Sequence, residues 1–262
     1  FWDGVNFNRG ANPPREKWQK PPQKTEQESV VAYQTFESYI RYIRGFADVR
    51  FITAREAAEL YRDRAQGRRF EPEELKAIAA AVGDEAMFQR RGDHCLSAAE
   101  VFWLLNQFIA GQGEKKASGS ITLDRSPLGP AEAAVALENN ATADWSQVVR
   151  TAADVADQMS RQGRVPTTVW LGSTGVPPES YLAAIASAAA KLLAGESAPE
   201  QVVFQPAKLA AAQYVSDDGP HLWGWVIFPP GFRAPRMMEL AKRQSWTIKP
   251  AVLGQLEDRL RN

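Results

Sequence analysis

One short pattern recurs along this chain: an apolar residue, a helix-start signal and then an amphipathic helix. The copies begin at Phe51, Cys95, Gly175 and, more weakly, Phe70. Two copies contain a capping box, Thr53–Glu56 and Ser97–Glu100, in which two side chains satisfy backbone amides of the first helical turn. A third copy uses Pro177 and Pro178, since proline is favoured at the first helical position. Repeated small units are typical of proteins that build an extended binding surface.

Hydrophobic periodicity predicts an α+β fold that is predominantly α-helical, with several short strands and small repeated strand–helix units. The predicted helices cover 25–44, 53–61, 71–82, 97–108, 145–161, 177–194, 206–215 and 235–244. The predicted strands are short and extended, at 48–52, 121–123, 165–171 and 221–228. The Ala-rich segment 183–190 would let another helix approach closely.

Proline and glycine divide the chain into four predicted parts. These are an extended Pro-rich arm (1–24), a helical domain with repeat-like units (25–112), a linker or irregular segment (113–143) and a second α-rich domain with an aromatic C-terminal subdomain (144–262). The chain begins with Phe1 and carries no signal peptide, so we expect a processed product or a fragment of a longer precursor.

Composition excludes two classes of partner. Lys and Arg together equal Asp and Glu at 31 each, so the chain lacks the basic field on which nucleic-acid binding depends. No apolar run approaches the roughly 20 residues that span a bilayer, so no membrane span is expected. The single Cys95 rules out an internal disulfide.

No motif of a catalytic centre, a metal site or a cofactor site is found in the sequence, and no cofactor is expected. Only His94 and His221 are present, too few for a histidine-rich zinc site. His94 and Cys95 are adjacent on an extended segment and would point to opposite sides, which makes them a poor catalytic dyad. Asp217 and Asp218 are the nominees for a hydrolase, although Asp-Asp-Gly-Pro is typical of a turn.

Aromatic residues give the best lead to a binding site, because eight tryptophans are a high count for this length. Tryptophan combines a large apolar face with a polar edge, which suits it to stacking on sugars. The candidate binding residues are Trp223, Trp225, Phe232, Arg236, Trp246, Trp103 and Trp170. Trp223 and Trp225 are two apart, as on one face of a strand. The alternative is that these aromatics form the core of a C-terminal subdomain.

The segment from Tyr33 to Ile43, followed by Ala47 to Glu56, resembles the C-terminal end of bacterial polysaccharide deacetylase domains. In that family a helix leads to a final strand, and Thr-x-x-Glu starts the next helix. The family's Asp-Asp and His-x-x-x-His metal motifs are absent from this chain. The resemblance therefore implies that a catalytic barrel would lie upstream of Phe1.

The segments Leu96–Leu105 and Val165–Leu182 are similar to pseudomurein-binding repeats, which are small modules that hold cell-wall polymer. Together the resemblances imply a non-catalytic cell-wall or polysaccharide-binding accessory region of a secreted deacetylase-like protein, located outside the cell or in its envelope. Its expected partners are a polysaccharide or cell-wall polymer and either a second copy of the chain or an upstream catalytic domain. Two alternatives stay open: a structural subunit of an extracellular assembly, and a carbohydrate-active hydrolase of unrecognised type.

Overall fold

A computed structural model describes residues 24–113, 119–225, 228–229 and 231–254. The predicted arm therefore lies outside the described residues, apart from Lys24. The described residues divide into two compact units, the first within 24–59 and 218–233 and the second within 60–217 and 234–254. Helix dominates, and the short strands form small sheets, which confirms the α+β class.

Seven α-helices lie in the described part of the chain: α1 (Glu26–Arg44), α2 (Ala54–Leu60), α3 (Pro72–Ala80), α4 (Ala98–Gly111), α5 (Trp145–Gln162), α6 (Pro178–Leu193) and α7 (Pro235–Gln244). The strands are β1 (Arg69–Phe70), β2 (Glu85–Ala86), β3 (Gln89–Arg91), β4 (His94–Leu96), β5 (Ile121–Thr122), β6 (Ala141–Asp144), β7 (Val169–Leu171), β8 (Thr174–Val176), β9 (Gln201–Phe204) and β10 (Lys208–Leu209). Within the described ranges, no helix is both long and apolar enough to cross a membrane.

The first unit contains α1, most of α2 and an aromatic turn. The Thr53–Glu56 capping box is confirmed: Thr53 N donates to Glu56 Oε2 at 2.6 Å and Glu56 N donates to Thr53 Oγ1 at 3.2 Å. The strand predicted over 48–52 is not formed, and its apolar side chains Phe51 and Ile52 are exposed. Without a partner strand, alternation alone does not hold a segment extended.

The strand predicted over 221–228 is also wrong for the residues that the structure describes. A 3₁₀ helix spans Pro220–Trp223 instead. Trp223 packs edge-on against Phe228 and Phe232, with ring centroids 5.1 Å apart in both pairs. Its indole N–H donates to Asp218 at 2.6 Å. Local ring contacts therefore favour a compact turn over an extended strand.

The second unit consists of two repeats with the same order of strand, helix, hairpin, helix and strand. The first repeat (69–122) contains β1, α3, the β3–β4 hairpin, α4 and β5, and the second repeat (141–204) contains β6, α5, the β7–β8 hairpin, α6 and β9. From hairpin to last strand, counterparts lie 80 positions apart, as Gln89 and Val169 do in their hairpins. Both hairpins turn at a glycine, Gly92 or Gly172, with φ of 55° and 65°, and such turns require a positive φ.

The two repeats pack against each other through their helices and exchange short strand pairings. Helix α4 packs against α5, α3 packs against α6, and α4 and α6 meet in the centre. After each repeat the chain returns to the other one: β10 pairs with β2, and Leu128 forms a bridge with Arg164. The predicted linker over 113–143 therefore does not separate two domains, because both repeats share one core.

Small side chains make the close approach of the central helices possible. Ala184, Ala186, Ala188 and Ala189 are all buried in this core. At the same interface, Asn106 donates to the carbonyl of Ala152 at 2.9 Å and accepts from the Tyr181 hydroxyl at 2.9 Å. The Ala-rich face is therefore an internal contact, which removes one reason for regarding it as an assembly surface.

Candidate functional site

Two of the candidate binding tryptophans are core residues. Trp103 is 3% exposed and Trp246 is 1% exposed. The guanidinium of Arg125 covers the Trp103 ring at 5.3 Å, and Trp246 packs edge-on against Phe102 at 5.9 Å. A sugar needs an open ring face, so the interpretation of Trp103 and Trp246 as binding platforms is wrong.

The other C-terminal candidates are divided between the units. Trp223, Trp225 and Phe232 belong to the first unit, whereas Arg236 lies, exposed, in the first turn of α7 in the second. Trp223 and Phe232 are half-buried in their aromatic cluster, and Trp225 is 74% exposed. The structure thus leaves Trp225 as the only open ring among the C-terminal tryptophans that it describes.

The remaining candidate, Trp170, lies at a groove on the second repeat. The groove has a volume of about 280 Å³. Its polar and aromatic lining comes from α5, the loop after it and β7: Gln158, Gln162, Arg164, Thr167, Thr168 and Trp170. Trp170 is 59% exposed, so most of its indole is open to a ligand. We refer to this feature as the Trp170 groove.

The hairpin fixes the orientation of the Trp170 ring. Gly175 lies opposite Trp170 in the β7–β8 register. A Cβ atom on Gly175 would be 2.9 Å from Thr168 Cγ2 and 3.1 Å from Trp170 Cζ3. The indole therefore lies against the bare glycine backbone. On the α5 side, Thr151 Oγ1 donates to the Trp170 carbonyl at 3.3 Å, which ties β7 to that helix.

The first repeat has no equivalent groove chemistry. Its counterparts of Trp170 and Gly175 are Arg90 and the buried Cys95, which pair in the same register. The counterpart of Thr168 is Phe88, whose ring lies 5.9 Å from that of Tyr214. Aromatic rings thus occupy in the first repeat the place that is open and polar in the second.

Polar side chains on the groove wall suit hydroxyl-rich ligands. Gln158 and Gln162 each offer a carbonyl acceptor and amide donors, and Thr168 offers a hydroxyl. The Thr167 hydroxyl accepts from the backbone N–H of Glu132 at 3.4 Å, which fixes that side of the groove. The sequence singled out Trp170 but missed Arg164, Thr168 and Gly175. Aligning the sequence with itself at a spacing of 80 residues would have shown that the second hairpin has Gly175 where the first has Cys95.

A second cavity, of about 170 Å³, lies beside the first turn of α6. Its wall includes Glu179, Arg243 and Trp246. Burial raises the pKa of the Glu179 carboxyl, although a hydrogen bond from Trp246 partly offsets this effect. The carboxyl therefore holds its proton to a higher pH than an exposed glutamate does.

This raised pKa makes stability depend on pH. Above the ordinary value of 4.5 the unfolded chain loses the Glu179 proton before the folded chain does, so stability falls as pH rises. Glu179→Gln removes this loss. We expect the variant to melt about 2–4 °C above the wild type at pH 7 and at the same temperature as the wild type near pH 4. An equal difference at both pH values would contradict this assignment.

The residues considered for catalysis have structural partners. Asp217 pairs with Lys242, which lowers the pKa of its carboxyl, and Asp218 accepts from Trp223. His94 is bonded to Asp93 through Nδ1 at 2.9 Å, and burial raises the pKa of the Cys95 thiol. Among the described residues, no three His, Cys, Asp or Glu side chains are grouped to hold a metal ion.

Comparison with known proteins adds no relative: no protein-family model, no curated protein and no solved structure matches this chain.

Proposed function

We propose that this chain is a non-catalytic polysaccharide-binding region and that the Trp170 groove holds the sugar chain. The observation that carries the proposal is the exposed indole of Trp170, which lies against Gly175 beside a polar groove. An immobilised aromatic ring offers binding area at little cost in side-chain entropy.

The surroundings of the ring match the two faces of a pyranose. The C–H face of a sugar is apolar and packs on an aromatic ring, while its hydroxyls need hydrogen-bond partners. Gln158, Gln162 and Thr168 supply such partners along the groove. The groove is open rather than closed, which suits one unit of a long polymer better than a small free molecule.

The wider setting belongs to the same proposal. The two repeats would be cell-wall-binding units of the pseudomurein-binding type, of which the second alone keeps an open groove. The chain would act outside the cell or in its envelope, next to an upstream deacetylase-like domain. The resemblances at Leu96–Leu105, Val165–Leu182 and Tyr33–Glu56 support this setting.

Binding to insoluble cell-wall preparations and to soluble polysaccharides tests the proposal. Trp170→Ala should weaken binding at least about tenfold, which is about 1.4 kcal/mol and within the range of a central aromatic contact. Trp225→Ala is the matched control, because Trp225 is also an exposed tryptophan but belongs to the first unit. Equal loss in both variants, or no binding by the wild type, would refute the proposal.

A further inference from the structure

The Trp170 groove contains one charged side chain, and we infer that it selects the ligand. We propose that Arg164 binds an anionic group on the polysaccharide, so that the groove prefers acidic sugar units to neutral ones. This inference rests on the proposed function, since it concerns the same groove.

The backbone around Arg164 is fixed by hydrogen bonds, but its guanidinium has no counter-ion in the part of the chain that the structure describes. Leu128 N donates to the Gly163 carbonyl and Val165 N donates to the Leu128 carbonyl, both at 2.9 Å, so the backbone is pinned on both sides of Arg164. The side chain is half-buried. Within the described part of the chain its guanidinium has neither a hydrogen-bond partner nor an ion pair.

The acidic side chains nearest to Arg164 in the sequence do not neutralise its guanidinium. Asp157 pairs with Arg161 at 2.5 Å on α5. Asp154, one turn before Gln158, is exposed and does not line the groove. The residues that line the groove with Arg164 are all neutral, so the groove carries a net positive charge.

A partly desolvated guanidinium is best satisfied by an anion. Arginine presents a planar fork of N–H donors that matches a carboxylate, sulfate or phosphate with two parallel hydrogen bonds. Hydrogen bonds to charged groups are about twice as strong as those between neutral groups. Arg164 and Trp170 line the same groove, so a sugar ring on the indole can direct a substituent to the guanidinium.

The positive charge of Arg164 is found in the second repeat and not at the corresponding position of the first. Leu128 bridges with Arg164 as Lys208, 80 positions later, pairs with Glu85, so Glu85 is the counterpart of Arg164 in the strand pairing. The Glu85 carboxylate is paired with Lys208 at 2.6 Å. The charge is therefore reversed in the repeat whose groove position is occupied by Phe88 and Tyr214.

A pair of matched ligands tests the inference on the full chain. Oligogalacturonate carries a carboxylate on each ring, and its methyl ester has the same rings without the charge. The wild type should bind the acid about tenfold or more tightly than the ester. A sulfated galactan and a phosphate-bearing wall polymer form two further arms, which identify the anion that is preferred.

Arg164→Gln should abolish the preference for the acid and leave binding of the ester unchanged, whereas Arg164→Lys should keep part of the preference. Arg161→Gln is the control, since Arg161 is exposed and already paired with Asp157. Equal affinity of the wild type for acid and ester, or an undiminished preference in Arg164→Gln, would overturn the inference while leaving the proposed function standing. Failure to bind any of the polysaccharides would overturn both.

Discussion

Replacing Lys249 with methionine should lower the free energy of unfolding by about 3–5 kcal/mol, because it leaves a carboxylate buried without its cation. Glu100 is fully buried, and Lys249 Nζ donates to both of its carboxylate oxygens at 2.8 Å. The same carboxylate accepts from Ser97 N at 2.7 Å and from Ser126 Oγ at 2.5 Å. These donors orient Glu100 but do not neutralise it.

Urea denaturation of the wild type and the variant measures this loss. Lys208→Met is the matched control, because Lys208 pairs with Glu85 at 2.6 Å while the two side chains are 70% and 50% exposed. An exposed pair of this kind contributes less than about 1 kcal/mol. Adding Glu100→Gln to Lys249→Met should recover part of the stability. Similar losses in Lys249→Met and Lys208→Met would show that burial of Glu100 has no such consequence.

Trp246→Ala should destabilise the protein by about 3–5 kcal/mol, the usual cost of removing a large aromatic ring from a packed core. The ring packs on Phe102 and its indole bonds to the half-buried Glu179, so the truncation leaves both a cavity and a carboxyl without its donor.

Trp170→Ala provides the contrast, because Trp170 is 59% exposed and its loss should cost less than about 1 kcal/mol. Thermal unfolding of the two variants, with circular dichroism as the signal, measures the difference. The two tryptophans were equal candidates in the sequence, so equal stability losses would mean that the division between core and groove residues is wrong.

Local signals in the sequence were sufficient to predict where most helices lie. Ser97 and Glu100 start α4 with the predicted pair of hydrogen bonds, and Pro178 starts α6. Such signals act within one helical turn, so a single chain displays them fully. The helix predicted over 206–215 failed for the opposite reason: Lys208 and Leu209 pair with β2, more than 120 positions earlier, and only a 3₁₀ turn follows.

Burial of the tryptophans depended on packing between the repeats. Trp103 lies on α4, whose apolar residues are not confined to one face of the helix. Whether the Trp103 ring is covered therefore depends on the segments that pack around the helix. Arg125, in the segment after β5, covers Trp103, whereas Trp170 lies against Gly175 and stays 59% exposed. Neither effect follows from local periodicity, and the 80-residue repeat shows only that Gly175 stands where the first repeat has Cys95.

A titration of the ¹⁵N-labelled chain with cell-wall polysaccharide, followed by NMR of the tryptophan indole N–H signals, tests the central claim most directly. Eight indole signals are expected, one for each tryptophan, and Trp170→Phe assigns the one that matters. The account predicts that the Trp170 signal shifts or broadens first and that the signals of the buried Trp103 and Trp246 change little. A titration that moves the Trp225 signal and leaves Trp170 unchanged would contradict it.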